Sequence, residues 1–366
     1  MAIYIINLLV VFISSLFASI AAKKRKLDNK ISYRLSSYFV FIALISLILV
    51  AGLRSGVGTD YHTYHGLISY FYGLDFTQVI GGNSFGDKGF SLLTWVIGRF
   101  TIEPQVAFLV YAMIIIVFVV LTIKDYGSPF ELSMALYILG LSYYSSFNGL
   151  RQWIACAVIF WCVRYVIKGN WKKYFLIVSL VSFIHLSAVI MLLVYFLIRV
   201  TNWKYTSVLL SAIFVGGFLF YAGFIESIFA FLDGSQYGHY SSVLTNTDNG
   251  ANILRVLVWA VPIGASLVFR TKLGERWPEG KYIVRLSFIG FLFAILSLKN
   301  ASIYRMCMYF DIYNVLIIPR LATLFDKKTN RFIYYSIFVC YFVYSYLVLP
   351  FDSNLLPYRY FNLFQW

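Results

Sequence analysis

Long apolar runs without charge are the feature that most constrains how this chain can fold. Two of the clearest, from Ile3 to Ala22 and from Ser37 to Leu53, contain no Asp, Glu, Lys or Arg. About 20 mostly apolar residues cross the hydrocarbon core of a bilayer. Only 12% of the 366 residues are charged, against about 25% in an average soluble domain. The sequence therefore predicts an all-α polytopic integral membrane protein.

Ten apolar segments and one less apolar helical segment follow one another along the chain. The ten lie near residues 3–22, 36–53, 104–123, 130–147, 149–167, 173–200, 205–224, 252–269, 281–298 and 331–349, and the less apolar one lies near 302–323. With a short amphipathic piece at 88–100, they predict roughly 11–12 transmembrane or re-entrant helices in one membrane domain, 1–366. The more polar stretches 54–103, around that piece, and 225–250 are predicted outer loops.

The distribution of Lys and Arg predicts which loops face the cytoplasm. The basic run at 23–26 stands where a signal peptide would carry a small-residue cleavage site, so the first apolar run is predicted to be retained. If loop 23–34 lies inside and 173–200 is a hairpin turning near His185, 20 of the 30 basic residues are cytoplasmic, as the positive-inside rule favours. A single tilted span over 173–200 is the alternative, and it would reverse everything that follows.

The hairpin topology brings eight polar residues to the outer membrane face. They are Arg54, Asp60, Asn148, Arg151, His185, Asn300, Arg305 and Arg359. Ionisable groups are costly in a bilayer and mark functional sites by default, so we expect an active-site cavity at this face. The net charge of +15 does not indicate nucleic-acid binding, because the basic residues lie between apolar spans.

The first polar cluster runs from Arg54 to Tyr64 with the sequence RSGVGTDYHTY. Gly56 and Gly58 allow a sharp turn and the close approach of a ligand to the backbone. Arg54 offers a planar donor fork suited to phosphate, and Asp60 is a candidate general base or sugar-hydroxyl acceptor. The alternative is an ordinary turn in which Arg54 reaches the membrane interface and pairs with Asp60.

The second cluster is the segment NGLRQ, from Asn148 to Gln152. Asn148 or Gly149 is predicted to break the apolar run, so that Arg151 and Gln152 open the next helix. A cation at a helix N-terminus opposes the helix dipole, and an anion bound between that terminus and Arg151 would remove the conflict. The alternative is an arginine that reaches the interface only for solvation.

Two further ionisable groups lie inside apolar segments. His185 is a lone histidine that is either a satisfied hydrogen-bonding group or a functional residue exposed at a hairpin tip. Arg305 lies between Tyr304 and Tyr309 with Asp311 nearby. It is either half of a structural ion pair or a phosphate ligand.

In this order and spacing, the motifs resemble the EpsG-like group of bacterial polysaccharide polymerases, which includes Wzy-type O-antigen and capsule polymerases. The matching segments are RSGVGTDY from Arg54 with Tyr64, NGLRQ from Asn148, FIHLS from Phe183, and IYR from Ile303 with Tyr309 and Phe310. The resemblance extends over about residues 50–350.

The resemblance implies a glycosyltransferase of the bacterial inner (cytoplasmic) membrane whose active site faces the periplasm. Its donor would be a glycan on undecaprenyl pyrophosphate, and its acceptor a lipid-linked oligosaccharide repeat unit. A lipopolysaccharide or capsule pathway is implied, with membrane lipid, a flippase and a chain-length regulator as partners and no nucleic acid. No cofactor, metal or nucleotide sugar is expected.

The resemblance also implies roles for particular residues. Arg54, Arg151 and Arg305 would stabilise the pyrophosphate leaving group, and His185 or Asp60 would accept the proton of the acceptor hydroxyl. An unperturbed histidine side chain titrates near neutral pH, while Asp60 could instead position the substrate, so both remain open. The other predicted substrate contacts are Asn148, Gln152, Tyr61, Tyr64, Tyr304 and Tyr309.

Two alternatives to a polymerase are weighed. A flippase or transporter of lipid-linked glycans should carry polar groups across the bilayer midplane and have matching internal repeats. The polar groups of this chain are predicted at one face and its sequence has no repeat, which favours an enzyme. An O-antigen ligase-like or acyl-transferring membrane enzyme is the other alternative.

Overall fold

The computed structural model describes residues 1–27, 30–81, 87–223, 225, 250–351 and 353–361. Most of them are helical, which confirms the predicted all-α class. Within the described residues, four helices are long and apolar enough to cross a membrane: Ala2–Ile20, Pro104–Tyr126, Leu150–Ile167 and Lys327–Phe351. A pair bent by 79°, Ile253–Val268 with Arg270–Arg276, makes a fifth if it is one span. The chain is a polytopic helical membrane protein.

Most of the helices lie within the apolar segments of the sequence, and two short strands that carry Lys and Arg lie between the first two helices. In chain order they are α1 (Ala2–Ile20), β1 (Lys23–Leu27), β2 (Lys30–Arg34), α2 (Ser37–Gly52), α3 (Tyr61–Tyr72), α4 (Phe76–Gly81), α5 (Lys88–Ile97), α6 (Pro104–Tyr126), α7 (Phe130–Leu139), α8 (Ser142–Ser145), α9 (Leu150–Trp161), α10 (Val163–Ile167), α11 (Trp171–Ser182), α12 (Ile190–Arg199), α13 (Trp203–Leu219), α14 (Ile253–Val268), α15 (Arg270–Arg276), α16 (Gly280–Leu296), α17 (Tyr304–Asp311), α18 (Asn314–Leu321) and α19 (Lys327–Val348). Short 3-10 helices lie at Leu186–Val189, Ala301–Ile303 and Leu349–Phe351. The antiparallel pair β1–β2 connects α1 to α2.

The chain divides into two compact units. The first contains Met1–Ile190 and Phe325–Trp366, and the second contains Met191–Leu324. Composition predicts one membrane domain over 1–366, and this stays a prediction.

In the first unit, α1 packs on α2 and α7, α2 packs on α6, and α6 packs on α9. α6 begins where the sequence favours a helix start, with Pro104 in the first turn and the Glu103 carboxylate accepting a bond from the N–H of Gln105. α9 begins after Gly149, whose φ of 58° is in the left-handed region. This confirms the predicted break before Arg151 and fixes the arginine in the first turn of α9.

The segment 54–103 is predicted as an outer loop with one amphipathic piece, and its described residues, 54–81 and 87–103, contain three helices. α5 is the predicted amphipathic piece. α3 and α4 were not predicted, although the buried residues of α3, namely Tyr61, Tyr64, Ile68 and Phe71, recur at helical spacing. Apart from Ile225 and Gly250, the predicted outer loop 225–250 lies outside the described residues.

The apolar segment 173–200 is not one continuous helix. α11 ends at Ser182, His185 is extended with φ −152° and ψ 111°, and a 3-10 turn begins at Leu186. The predicted break at His185 is therefore confirmed, while the membrane orientation on either side of it stays a prediction.

In the second unit, α16 packs against α13, α14, α17 and α18. Two consecutive hydrogen bonds between buried side chains link three of these helices. The indole N–H of Trp259 donates to Ser287 Oγ at 2.9 Å, and that hydroxyl donates to Asn314 Oδ1 at 2.7 Å. A small apolar core includes Tyr221 and Leu296. The hydrogen bonds between Trp259, Ser287 and Asn314 hold α14, α16 and α18 together and satisfy polar groups that would be costly to bury unpaired.

Candidate active site

Arg54, directly after α2, is buried rather than extended to the membrane interface. Its side chain is about 1% exposed and donates to the carbonyl oxygens of Ala51 and of Phe147, the latter at 3.0 Å. The guanidinium carbon lies 5.2 Å from the centre of the Phe108 ring and 4.8 Å from that of Phe147. Burial lowers the pKa of Arg54 to about 10, so the group stays cationic at neutral pH. Arg54 thus ties the end of α2 to the segment that precedes α9.

The loop after Arg54 has a shape that requires glycine at one position. Gly58 has φ 100°, and a Cβ atom there would lie 2.8 Å from Asn148 Oδ1 and 3.2 Å from the Phe147 carbonyl oxygen. A side chain at 58 would therefore push the loop away from the start of α9. Gly56 and Gly58 were predicted to let a ligand approach the backbone closely. At Gly58 the atoms that approach closely are Asn148 Oδ1 and the Phe147 carbonyl oxygen of the protein itself.

Asp60 binds the N-terminus of α9. Its Oδ2 accepts a 2.8 Å hydrogen bond from the N–H of Gly149, and its own N–H donates to Asn148 Oδ1 at 3.2 Å. A carboxylate at this place satisfies an N–H at the start of the helix and complements the helix dipole. Among the described residues, Arg54 and Asp60 do not form the ion pair that was weighed as an alternative. Arg54 donates to backbone carbonyl oxygens, and Asp60 accepts from the N–H of Gly149.

The central feature of the site is a carboxylate shared by Arg151 and His185. Asp87 Oδ2 lies 3.3 Å from a terminal nitrogen of Arg151 and 3.1 Å from Nδ1 of His185. The side chain of Asp87 is 10% exposed, whereas those of Arg151 and His185 are 30% and 25% exposed. The anion expected beside Arg151 at the start of α9 is thus supplied, at least in part, by the protein itself.

The start of α5 is fixed against the break at His185 by two hydrogen bonds. The N–H of Gly89 donates to the Phe183 carbonyl at 2.7 Å, and the N–H of Leu186 donates to Asp87 Oδ1 at 3.3 Å. A Cβ atom at Gly89 would lie 2.6 Å from the Phe183 carbonyl oxygen. Glycine at 89 is therefore what allows α5 to approach the backbone beside His185.

The C-terminal tail pairs with the Arg54 loop through the backbone. The N–H of Ser55 donates to the Arg359 carbonyl at 2.9 Å and the N–H of Gly58 to the Asn354 carbonyl at 3.0 Å. The N–H of Phe361 donates to the carbonyl of Leu53 at 2.7 Å. The loop that carries Asp60 is therefore held on one side by the tail and on the other by α9.

Comparison with known proteins decides the family. A model of the EpsG family matches residues 37–360. The chain belongs to the EpsG family. No curated protein and no solved structure matches it. Membership supports a role like that of a polysaccharide polymerase, in agreement with the order of motifs in the sequence.

The other predicted site residues of this EpsG-family chain fall into two groups. In the first unit, Tyr61, Tyr64 and Gln152 are buried. The Tyr61 hydroxyl donates to Gln105 Oε1 at 2.8 Å, and the side-chain amide of Gln105 donates to the Arg54 carbonyl at 3.0 Å. Tyr61 thus supports the Arg54 loop through Gln105.

The second unit of the EpsG-family chain holds Asn300, Tyr304, Arg305 and Tyr309. Tyr304 lies under the guanidinium of Arg255 at 5.3 Å, and Tyr309 is buried. Arg305 is on the exposed side of α17, and the side chain of Asn300 accepts from the N–H of Ser302 at the start of the 3-10 turn. The other predicted site residues, Arg54, Asp60, Asn148, Arg151 and His185, all belong to the first unit.

Sequence reasoning missed Asp87. An aspartate directly before the amphipathic piece 88–100 is a typical helix N-cap, and this was the available signal. Asp87 is indeed the N-cap residue of α5, but without a side-chain cap bond, since its carboxylate contacts Arg151, His185 and Leu186 instead. Among the described residues, no cluster of three His, Cys, Asp or Glu side chains could hold a metal ion.

Proposed function

We propose that this protein is a polysaccharide polymerase that acts on lipid-linked oligosaccharides. It transfers a glycan from undecaprenyl pyrophosphate to a lipid-linked repeat unit at the periplasmic face of the inner membrane. The observation that carries the proposal is the Arg151–Asp87–His185 cluster in an EpsG-family membrane protein. A cation and a histidine are held by one carboxylate at the end of membrane helices, where a pyrophosphate headgroup and a sugar hydroxyl would meet.

The reaction needs a base and an anion-stabilising group. The acceptor hydroxyl loses its proton to His185 as its oxygen attacks the anomeric carbon of the donor glycan. The bond from that carbon to the pyrophosphate oxygen breaks, and its electron pair stays on undecaprenyl pyrophosphate. Arg151 stabilises the charge that develops there, as preorganised donors do in acyl and phosphoryl transfer.

The contacts of the two candidate bases favour His185 in this proposal. One oxygen of Asp60 is engaged by the N–H of Gly149 at 2.8 Å, so its role is to hold the loop against α9. The ring of His185 is a quarter exposed and bonds to Asp87 through Nδ1. Nε2, on the opposite side of the ring, is then the atom that accepts the proton.

The remaining predicted residues have supporting roles. Arg54 adds a buried positive charge near the loop and anchors it. For Arg305, Tyr304 and Tyr309, which belong to the second unit, contact with the pyrophosphate or the glycan stays a prediction of the family resemblance. Asn148 Nδ2 is buried without a hydrogen-bond partner among the described residues. In the proposed substrate complex, that donor would bind a sugar oxygen. The Tyr64 hydroxyl accepts from the N–H of Arg151 at 3.5 Å, and Gln152 is buried beside Arg151 in the first turn of α9. Direct contact of Gln152, Tyr61 and Tyr64 with substrate stays a prediction.

The partners follow from the chemistry of the substrate. A lipid-linked oligosaccharide must first be moved across the membrane by a flippase, and the length of the product would be set by a chain-length regulator. Membrane lipid surrounds the apolar helices. No cofactor or nucleic acid has a part in the proposed reaction.

Reconstitution tests the proposal. The purified protein in lipid nanodiscs is given a lipid-pyrophosphate oligosaccharide and no nucleotide sugar, and the glycans are separated by size. The proposal predicts a ladder of products that differ by one repeat unit. In proteoliposomes, movement of the lipid across the bilayer without any ladder would contradict a polymerase and support a transporter.

A further inference from the structure

Asp87 stands at a meeting point of three chain segments. Its Oδ2 contacts Arg151 from α9 at 3.3 Å and His185 from the break after α11 at 3.1 Å, and its Oδ1 accepts from the N–H of Leu186 at 3.3 Å. The carboxylate itself caps no N–H of α5, although Asp87 is the N-cap residue of that helix. The Asp87 carboxylate thus contacts three groups that are distant in the sequence and does not cap its own helix. Helix stability therefore does not account for an aspartate at this position.

We infer that Asp87 is a positioning residue for both the base and the cation of the transfer reaction. Its carboxylate keeps the proton of His185 on Nδ1, so that the lone pair of Nε2 faces the acceptor hydroxyl. The same oxygen holds Arg151, which fixes the distance between the base and the group that stabilises the leaving pyrophosphate. The inference rests on the proposed function, since it assigns a role within that reaction.

The chemistry of histidine supports this role. The hydrogen bond made by one ring nitrogen determines which nitrogen carries the proton. A carboxylate in contact with Nδ1 also stabilises the imidazolium that forms when Nε2 accepts a proton. With a side chain only 10% exposed, Asp87 acts on His185 with little screening by water.

The surrounding backbone fixes Asp87 in place. The N–H of Gly89 donates to the Phe183 carbonyl at 2.7 Å. This bond joins the backbone just after Asp87 to the backbone just before His185. The N–H of Leu186, the residue after His185, donates to the Asp87 carboxylate and so holds the Asp87 side chain against the same segment. A general base held in this way is preorganised and needs no rearrangement before reaction.

Kinetics with matched variants test the role of the charge. Asp87→Asn keeps the size of the side chain and an oxygen for Leu186, but it removes the negative charge. We expect kcat for ladder formation to fall by at least about 100-fold, KM to change by less than about threefold, and Asp87→Glu to recover part of kcat. Asp125→Asn is the control, because Asp125 also pairs with an arginine, Arg164 at 3.1 Å, away from this cluster.

These variants also separate positioning from stability. Equal losses in Asp87→Asn and Asp125→Asn, or a loss in Asp87→Asn that follows a lower Tm, would overturn the inference. A selective effect on kcat with an unchanged Tm is the result that supports it.

A second measurement does not depend on activity. The protein has four histidines, and ¹⁵N labelling of histidine, with His185→Gln to assign the signal, reports which ring nitrogen of His185 carries the proton. We expect an Nδ1–H form at alkaline pH in the wild type and its loss in Asp87→Ala. An Nε2–H form in the wild type overturns the inference even if the ladder forms. An Nδ1–H form without any ladder supports the positioning and counts against the polymerase.

Discussion

The Nδ1 atom of His185 lies 3.1 Å from Oδ2 of Asp87, although the two residues are 98 positions apart in the sequence. The same oxygen lies 3.3 Å from Arg151. A single carboxylate thus joins the lone histidine of one apolar segment to the arginine that opens another. In the proposed reaction these two groups act on the attacking hydroxyl and on the leaving pyrophosphate.

Arg151→Ala should lower the rate of ladder formation by at least about 100-fold, the usual loss when one transition-state donor is removed. Arg164→Ala is its control, because Arg164 also pairs with an aspartate, at 3.1 Å, and lies over an aromatic ring, at 4.2 Å. We expect that variant to stay within about twofold of the wild type, as a partly exposed ion pair contributes little. The measurement is the initial rate of elongation in nanodiscs, and similar rates for both variants would remove Arg151 from the mechanism.

Gly89→Ala should impair the site by steric displacement. Its Cβ atom would meet the Phe183 carbonyl oxygen at 2.6 Å, so α5 must move away and carry Asp87 with it. A misplacement of about 1 Å in a residue that positions the reacting groups is enough for a loss on the order of 100-fold. Gly66→Ala in α3 is the control, since a Cβ atom there has nothing within 4 Å. Full activity of Gly89→Ala would mean that the approach of α5 to Phe183 is not needed.

The C-terminal tail should be required for the Arg54 loop. Asn354 has φ 54°, which proline cannot adopt, whereas glycine can. We expect Asn354→Pro to lower stability by at least about 1 kcal/mol and to reduce ladder formation, while Asn354→Gly keeps both close to wild type. Thermal unfolding in detergent and the elongation assay measure the two effects. A proline variant that behaves like the glycine variant would show that the tail pairing does not support the loop.

Composition and local breaks predicted much of the fold. Long uncharged runs such as Pro104–Tyr126 are helices, because apolar length is itself the signal of a membrane span. Asn148 or Gly149 was predicted to break one apolar run, and the distribution of basic residues favoured a turn near His185 over a single tilted span. The structure has a helix start and an extended residue at these two places.

The rest of the site depends on contacts that local sequence does not encode. The role of Asp87 requires α5, α9 and the end of α11 to meet, and no sequence spacing indicates that meeting. The pairing of the tail with the Arg54 loop uses backbone N–H and C=O groups, which every residue carries. The sequence left Arg54 open between a phosphate ligand and an arginine at the interface, and it did not indicate that aromatic rings and carbonyl oxygens enclose the side chain.

Asp60 should tolerate loss of its charge. Asp60→Asn keeps an oxygen that can accept from the N–H of Gly149, so we expect ladder formation within about tenfold of the wild type. Asp60→Ala removes that acceptor and should cost about 1 kcal/mol of stability, as the loss of a helix cap does. If Asp60→Asn abolishes the ladder without a change in Tm, Asp60 rather than His185 is the base.

The most direct measurement of the central claim compares His185→Gln with the wild type in the reconstituted elongation assay. Glutamine can donate to Asp87 from its amide and so preserve that contact, but it cannot act as a general base. Our account predicts a ladder of repeat units for the wild type from lipid-pyrophosphate oligosaccharide alone. It predicts at least about a 100-fold slower ladder for His185→Gln with an unchanged Tm. A ladder from His185→Gln at the wild-type rate would contradict the account.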